Sequence, residues 1–385
     1  MLSPTVLHII PKLLTGGAEV MLVRLLSAFK KQPAFQHVVL TLGVGNDFCG
    51  ELDEMGISVH SLRIRSRAAL PWHFFQLRRI VDNLQPDVIH AWMYHANMAA
   101  YHAGAGCPVI FSVHNALDAL CHEKWTTRMV LKHGARLSQH ASAVVYCSEK
   151  GRKQHEQIGY DAARSVFIPN GVDINMFQPD PGARKIFRDM LGVKNHTTLF
   201  GQIARFHPIK NQTGMIKAFS VLAGKSAATE LILAGEGCDQ NNKVLVALID
   251  SHGVSNRVHL LGVRSDVEKI LPGLDVLVSP SLSEAFPVAI AEAMACGLPC
   301  IATDVGDTAA LLADTGVVVA SNNNEALAHA MQEMLCMSET RLNDLGMKAR
   351  SRIHRKYSME VVASSYQTLY FSLIKHSVLP CNVLC

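Results

Sequence analysis

The sequence lacks the residue patterns of several common protein classes. Its 385 residues include ten cysteines, yet it has no C-x-x-C pair, no H-E-x-x-H motif and no D-x-D motif. The irregular cysteine spacing favours free thiols in a reducing compartment over a disulfide framework. The other two absences leave no familiar ligand set for zinc or for a divalent ion bound to phosphate. No run of 18 apolar residues occurs, so we expect no transmembrane helix.

The net charge of the chain narrows its possible binding partners only slightly. The chain carries a charge of +4 and has a sequence pI of about 8.5, which is too weakly basic to predict nucleic acid binding. An anionic small molecule or an anionic membrane surface fits this charge equally well.

The N-terminal segment has no basic region, and a proline interrupts its short apolar run. We interpret it as a first strand rather than a signal peptide, and we expect a cytoplasmic protein with no nucleic acid partner.

Short apolar segments alternate with segments of helical period along the whole chain. Continuous apolar strands separated by helices are typical of parallel sheets that helices cover on both faces. Two such series predict an α/β protein with two Rossmann-like, doubly wound domains. The predicted strands are residues 6–10, 37–41, 88–90, 109–113, 143–147 and 165–168 in the first series, and 199–203, 230–234, 258–261, 276–279 and 300–302 in the second.

A segment rich in Pro, Gly and Asp, residues 169–182, separates the two series. We place the first domain at residues 1–178 and the second at residues 179–356. An amphipathic helix at about residues 357–374 is expected to pack back on the first domain. Ligands of open parallel sheets bind beyond the carboxyl ends of the strands, so we expect the functional residues in the loops that follow strands.

The most informative segment is residues 279–307, which begins at the end of a predicted strand. Glu284 lies in the loop, Pro287 suits the first turn of a helix, and residues 288–296 continue that helix. Because the first amides of a helix have no partner within it, residues 286–289 are predicted to form an anion site.

Glu292 lies roughly 7.5 Å further along this helix, at 1.5 Å of rise per residue. That spacing is a poor arrangement for the close acid and nucleophile of a glycosidase. It suits a nucleotide sugar, with Glu284 on the sugar hydroxyls, Glu292 on the ribose diol and the helix amides on the phosphates between them. The alternative is that Glu292 is an ordinary solvated helix position, which its apolar surroundings (AIAEAMAC) disfavour.

Two cations lie in the loop of a strand–loop–helix segment at residues 201–219. Arg205 and Lys210 at the mouth of the strand suit a diphosphate leaving group. An ordinary basic surface loop is the alternative. Because two cations can neutralise the phosphates, we expect no metal and no other cofactor. The only acidic pair nearby, Asp266 and Glu268, is interpreted as a helix-capping and a first-turn acid.

Two glutamates separated by seven residues, within EAFP, AEAMACGLP and TDVG, resemble glycosyltransferase family 4, the retaining enzymes of the two-domain GT-B fold. The resemblance covers essentially the whole chain and is more specific in the second half. It implies two Rossmann-like domains that face a central cleft, the first binding the acceptor and the second the nucleotide sugar. It also implies a metal-independent reaction, with Glu284 at the transferred sugar and Glu292 at the ribose. The donor site that it implies in the second domain comprises Arg205, Lys210, Glu284, Ala285, Phe286, Pro287, Val288 and Glu292.

The first half of the chain carries a looser similarity. Gly16 and Gly17 precede a helix predicted to begin near Ala18, and the GGAE run resembles the family's glycine loop, which implies donor contact. His114 ends a predicted strand. A lone histidine is usually structural, but the family's histidine here lies beside the donor sugar, so the resemblance implies a catalytic role for His114. His90, which also ends a strand, is a weaker candidate.

Four basic residues spaced four apart define one face of a predicted helix beside apolar side chains: Lys124, Arg128, Lys132 and Arg136. Such a helix suits peripheral contact with an anionic membrane, here the inner face of the cytoplasmic membrane. A solvated helix face is an equal alternative. Further arginines cluster at residues 63–67 and 78–79.

The residues and the resemblance together predict a retaining glycosyltransferase. We expect it to move a hexose or N-acetylhexosamine from a nucleoside diphosphate sugar, UDP-linked, to a saccharide or polyprenyl-linked acceptor in polysaccharide biosynthesis (capsule, exopolysaccharide or lipopolysaccharide). One alternative is a sugar-nucleotide epimerase of similar shape, which would need further acid and base residues. The other is a non-catalytic sugar-binding relative, against which the complete set of two cations and two glutamates argues.

Overall fold

The structure is a computed structural model that describes residues 3–14, 16–31, 33–64, 70–104, 106–118, 125–194 and 196–378. The chain divides into two compact units, residues 1–171 with 359–385 and residues 172–358. Each unit is built on a parallel sheet covered by helices. The predicted α/β class with two Rossmann-like sheets is therefore confirmed.

The first unit contains, within its described residues, a seven-stranded sheet of order β3-β2-β1-β4-β5-β6-β7, in which every pairing is parallel. Apolar residues lie on both faces of its central strands because helices cover the two faces. Its elements are β1 (Thr5–Ile10), α1 (Gly17–Lys31), β2 (Gln36–Gly43), α2 (Cys49–Glu54), β3 (Ser58–Ile64), α3 (Leu70–Leu84), β4 (Val88–Trp92), α4 (Tyr94–Ala103), β5 (Val109–Val113), α5 (Trp125–Ser138), β6 (Ala143–Tyr146), α6 (Glu149–Gln157) and β7 (Ser165–Phe167).

The described residues of the second unit repeat this arrangement with six strands of order β10-β9-β8-β11-β12-β13, again all parallel. Its elements are α7 (Pro181–Leu191), β8 (Thr198–Ile203), α8 (Gln212–Lys225), β9 (Thr229–Ala234), α9 (Lys243–Ser251), β10 (Val258–Gly262), α10 (Val267–Ile270), β11 (Val276–Ser279), α11 (Val288–Ala295), β12 (Cys300–Thr303), α12 (Thr308–Leu312), β13 (Gly316–Val319), α13 (Asn324–Cys336) and α14 (Glu339–Lys356).

The last helix, α15 (Met359–Val378), belongs to the first unit although it follows the second unit in the chain. Its buried residues Met359, Val362, Tyr366 and Tyr370 join the core that β1, β4 and α1 form. The first unit is thus built from two separate stretches of the sequence.

The strand order reverses direction once in each sheet, between β1 and β4 in the first unit and between β8 and β11 in the second. Loops that leave the carboxyl ends of the two strands on either side of such a reversal diverge and leave a crevice where ligands bind. All eleven predicted strands are present. The two that sequence analysis missed, β3 and β13, are both edge strands.

Candidate active site

Two loops meet at the crevice of the second unit, the loop after β8 and the loop after β11. Lys210 Nζ lies 2.5 Å from Glu284 Oε1, and Ser281 Oγ donates to the same oxygen at 2.8 Å. The Leu282 amide donates to the Ile209 carbonyl at 2.7 Å and ties the two loops together. The structure therefore brings the predicted cation and the predicted glutamate into direct contact. Glu284 Oε2 makes no hydrogen bond to the described residues.

Two glutamine side chains hold the loop after β8 in place. Gln202 Nε2 donates to the Lys210 carbonyl at 2.7 Å, and Gln212 Nε2 donates to the Arg205 carbonyl at 2.8 Å. The guanidinium of Arg205 is exposed and forms no ion pair with any residue that the structure describes. The loop thus presents one cation engaged with Glu284 and one available to an anionic ligand.

Glycines at positive φ let two further loops press against these. Gly306 has a φ of +53°, and a Cβ there would lie 2.1 Å from the Glu284 carbonyl oxygen. Gly235 has a φ of +142°, and a Cβ there would lie 2.3 Å from the Ala204 carbonyl oxygen. Because every other residue carries a Cβ, only glycine fits at these two positions without displacing the loops that carry Glu284 and Arg205.

The helix that follows Glu284 is shorter than the sequence suggested. α11 begins at Val288, and Pro287 is the N-cap residue rather than part of the first turn. Within the described chain, the amides of Phe286, Val288 and Ala289 have no hydrogen-bond partner, so the predicted anion site has free donors. Glu292, in the middle of α11, is only 8% exposed. It is therefore not an ordinary solvated helix position.

One predicted cap is wrong. Asp266 holds the N-cap position of α10, but its side chain caps no amide. Its carboxylate instead accepts from Arg264 at 2.8 and 2.7 Å, and this bond lowers the pKa of Asp266.

The described residues contain no group of three His, Cys, Asp or Glu side chains arranged to hold a metal.

His114 follows β5 in the first unit and has an unusual environment for an imidazole. Both ring nitrogens are buried, and neither has a hydrogen-bond partner among the described residues. Burial lowers the pKa of His114 to about 4; the side chain of Asn170 opposes this shift without completing a hydrogen bond, and its Oδ1 is also buried and unpaired. A neutral imidazole that presents one donor and one acceptor with no protein partner is suited to a ligand.

The glycine loop after β1 lies at the crevice of the first unit. α1 begins at Gly17, one residue before the predicted start. A Cβ at Gly16 would lie 2.5 Å from Glu19 Oε2, so the carboxylate of the first helical turn folds back over this glycine. Burial raises the pKa of Glu19.

His90, the weaker candidate, is fully buried and hydrogen-bonded to Ser112 and Tyr370, so it is a core residue.

Comparison with known families decides what these loops belong to. The model of the family described as "Glycosyltransferase Family 4" matches residues 15–176, and that described as "Glycosyl transferases group 1" matches residues 183–352. The two matches cover most of both units. The chain belongs to the family 4 glycosyltransferases.

Individual relatives of this glycosyltransferase are distant but span most of its length. The putative glycosyltransferase EpsF of Bacillus subtilis is 28% identical over 309 residues, 78% of this chain and 79% of EpsF. The UDP-Gal:alpha-D-GlcNAc-diphosphoundecaprenol alpha-1,3-galactosyltransferase of Escherichia coli is 24% identical over 308 residues, 77% of this chain and 78% of the relative. The solved structure of Anabaena HepE in complex with UDP and glucose has a TM-score of 0.82 at 23% identity, covering 96% of this chain and 99% of HepE, which shows the shared GT-B fold.

Sequence analysis missed the residues that support the glycosyltransferase's charged groups. Ser281 is 2% exposed and Gln202 is 3% exposed, yet each bonds directly to Glu284 or to the backbone of Lys210. A glutamine inside the apolar run LFGQIA was the available signal, because a buried polar side chain in a central parallel strand needs a partner. Ser281 offered no comparable signal.

Proposed function

We propose that this glycosyltransferase is a retaining enzyme that moves a hexose or N-acetylhexosamine from a UDP-linked donor to a saccharide or polyprenyl-linked acceptor. The observation that carries the proposal is the contact between Lys210 and Glu284 at the crevice of the second unit, beside the free amides at the start of α11. A carboxylate, a cation and an anion site side by side match the sugar and the diphosphate of such a donor.

The pairing of Glu284 defines its role. Its Oε1 accepts from Lys210 and Ser281, which leaves Oε2 for a sugar hydroxyl. Lys210, Arg205 and the α11 amides stabilise the charge that develops on the diphosphate as the bond from the anomeric carbon to the phosphate oxygen breaks. The acceptor oxygen then bonds to the same face of that carbon, and its proton passes to the departing phosphate. Because the cations neutralise the phosphates, the reaction proceeds without a divalent metal.

The donor base and the acceptor class rest on the relatives. HepE was solved with UDP and glucose, and the Escherichia coli relative is named for a UDP-galactose donor and a diphosphoundecaprenol-linked acceptor. The lipid-linked acceptor of this second relative also supports a role in polysaccharide or lipid-linked glycan synthesis. A thermal-shift screen of nucleoside diphosphates should single out UDP, because a ligand at 100 times its Kd stabilises by about 2.7 kcal/mol. Equal shifts with GDP and ADP would contradict the choice of base.

The direct test is Glu284→Gln, which keeps the shape of the side chain and removes its charge. Transfer from the donor that the screen identifies should fall on the order of 10²–10³-fold, with the thermal midpoint unchanged. Glu325→Gln, in the first turn of α13, is the matched control and should leave the rate unaltered. Near-normal turnover of the Glu284 variant would remove this residue from the site. NMR of the product shows whether the anomeric configuration of the donor sugar is retained. Activity measured in excess EDTA tests metal independence. Loss of activity in EDTA with rescue by Mn²⁺ or Mg²⁺ would contradict metal independence.

The proposal includes contact with an anionic membrane through a surface formed by α3, α4 and α5, which we call the basic aromatic surface. α4 packs against both of the other helices. Exposed apolar rings lie on two of them: Trp72 and Phe75 on α3 are 66% and 69% exposed, and Trp125 on α5 is 72% exposed. Within the described residues, no helix combines the length and hydropathy needed to cross a bilayer. Peripheral contact is therefore the kind of membrane binding that we propose.

The charge of this surface is strongly one-sided. The described parts of its three helices contain one acidic residue, Asp82, against five basic ones: Arg78, Arg79, Arg128, Lys132 and Arg136. Lys124, Arg65 and Arg67, which the sequence also singled out, lie outside the described residues. Exposed aromatic rings beside basic side chains suit the negatively charged cytoplasmic leaflet.

Sedimentation with vesicles tests this contact. Binding to vesicles with 30% phosphatidylglycerol should exceed binding to pure phosphatidylcholine and should weaken with salt. Replacing both Phe75 and Trp125 with Ala should reduce it, whereas Ile186→Ala, an equally exposed apolar residue on α7, should not. Equal sedimentation with both vesicle types would contradict the proposal.

A further inference from the structure

A buried chain of aromatic and imidazole rings runs across the central strands of the first unit. Its members are His37 on β2, His8 on β1, and His90 and Trp92 on β4, and we call it the Trp92 network. Trp92 Nε1 donates to His8 Nδ1 at 3.2 Å, and His8 Nε2 lies 3.0 Å from His37 Nδ1. His8, His90 and Trp92 have no exposed surface.

The directions of the two hydrogen bonds at His8 are determined. An indole nitrogen can only donate, so His8 Nδ1 accepts. Burial holds the pKa of His8 well below its usual range, so the ring is neutral and its single proton is on Nε2. His8 Nε2 therefore donates to His37 Nδ1. The hydrogen bond to His8 therefore directs the indole N–H of Trp92 toward β1.

Contacts with His90, which lies on the same strand as Trp92, also fix the indole ring. The His90 ring lies 4.5 Å from the Trp92 ring, measured between centroids. His90 itself is held at both nitrogens, by Ser112 at 2.6 Å and by Tyr370 of α15 at 2.8 Å. Trp92 is thus supported by β1, β5 and α15 and has little freedom to move.

The Trp92 ring stacks on His114, with centroids 5.2 Å apart and planes inclined by 16°. Neither nitrogen of His114 has a hydrogen-bond partner in the described chain, so no hydrogen bond sets the plane of its ring. We propose that Trp92 is a positioning residue for His114: its indole fixes the imidazole plane while leaving both nitrogens to the substrate. An imidazole held by a hydrogen bond would have one nitrogen already committed. The relevance to turnover rests on the proposed function, together with the catalytic role that the family resemblance implies for His114.

The first readout is NMR of the full-length enzyme with labelled histidine. The ring signals of His114 should be single and sharp in the wild type and broadened by exchange in Trp92→Leu, which removes the stacked ring. Phe111→Leu is the matched control, because it removes a buried ring from β5 that packs in the other core of the unit. It should leave the His114 signals sharp. Unchanged His114 signals in Trp92→Leu would overturn the proposal.

The second readout is a double-mutant cycle on turnover. Trp92→Leu should lower kcat on the order of tenfold, with little change in the KM for the donor, because a misplaced group costs rate rather than donor affinity. In a His114→Ala background the same substitution should change kcat less than twofold. Equal losses in both backgrounds would show a merely structural role and would overturn the proposal.

Two further arms keep the outcomes distinct. If Trp92→Leu does not fold, Trp92→Phe takes its place in both readouts; it keeps a smaller ring but loses the bond to His8, and the same signs of coupling and broadening are expected. If His114→Ala retains full activity, the assignment of His114 to the reaction fails, while the NMR readout still decides whether Trp92 fixes its ring.

Discussion

The strand order of the two units is the same up to the sixth strand, and in both units the candidate residues follow strands near the reversal of strand order. The chemistry at those loops is nevertheless different. In the second unit, Lys210 and Glu284 are charged groups that neutralise each other before any ligand binds. In the first unit, His114 is a neutral ring whose two nitrogens are buried and have no hydrogen-bond partner among the described residues. One topology thus supports a site held by ion pairing and a site held by ring packing.

This difference extends into the interior of each unit. The five described histidines whose pKa values burial lowers all belong to the first unit: His8, His37, His90, His114 and His155. In the second unit, the loops are held by hydrogen bonds from glutamines and by glycines that admit close backbone contact. We therefore expect the first unit to be sensitive mainly to pH and to substitution of its packed rings. The second unit should be sensitive mainly to substitution of its charged residues and of its glycines.

Removing the charges of the second unit should have the largest effect. Arg205→Ala and Lys210→Ala should each lower turnover by about 10²–10³-fold, because a donor to a developing oxyanion is typically worth about 2.7–4 kcal/mol. Steady-state transfer rates measure this. Lys225→Ala, on the far end of α8, is a control that should leave the rate unchanged. A loss below threefold for both site variants would place the diphosphate elsewhere.

Backbone shape in the second unit comes next. Gly306→Ala should lower kcat between tenfold and about 10²-fold, because its Cβ would displace the loop that carries Glu284. Gly253→Ala provides the control: it has a similar φ of +66° but no neighbour within 4 Å, so it adds comparable backbone strain without touching a site loop. Similar kcat losses in the two variants would show that strain, rather than displacement of Glu284, is responsible.

Substitution of Glu292 tests whether the site that contains Lys210 and Glu284 extends to the nucleoside of the donor. If its carboxylate binds the ribose diol, the wild type should discriminate against 2′- or 3′-deoxyribose donors by roughly tenfold, since a hydrogen bond to a charged group contributes about 1.5–3 kcal/mol. Glu292→Ala should bind the normal donor more weakly and lose most of that discrimination. Donor affinities for both enzymes and both donors give the answer. Undiminished discrimination in the variant would place the ribose at other residues.

Acid should act first on the first unit. Its buried histidines are neutral when folded and gain protons on unfolding, so stability is lost as the pH falls from about 6.5 toward their folded pKa values, by up to about 1.4 kcal/mol per pH unit for each histidine. All three tryptophans, at positions 72, 92 and 125, lie in the first unit. Urea unfolding followed by fluorescence therefore reports that unit alone. A fluorescence midpoint that stays constant between pH 7.5 and 5 would contradict this expectation.

The sequence predicted the sheets well and their side-chain contacts poorly. Continuous apolar runs located eleven strands. β3 was missed because its sequence, SVHSLRI, has no such run, whereas β13 was missed although its sequence, GVVV, is apolar. Lys210 and Glu284 could be assigned to neighbouring strand ends, but their direct bond depends on loop shapes that Gly235 and Gly306 make possible. The Trp92 network and its link to Tyr370 were not predictable, since their hydrogen bonds and ring contacts join residues up to 280 positions apart.

The position of α15 also has a consequence for how the protein is made. During synthesis, residues 1–171 leave the ribosome before residues 172–358, yet their core stays incomplete until Tyr366 and Tyr370 are added. The second unit is complete in sequence at residue 358, so it can fold before the unit that precedes it. A nascent chain stalled between these points would expose apolar surface of β1, β4 and α1 to solvent and to chaperones. α15 therefore sets the time at which the first unit becomes native.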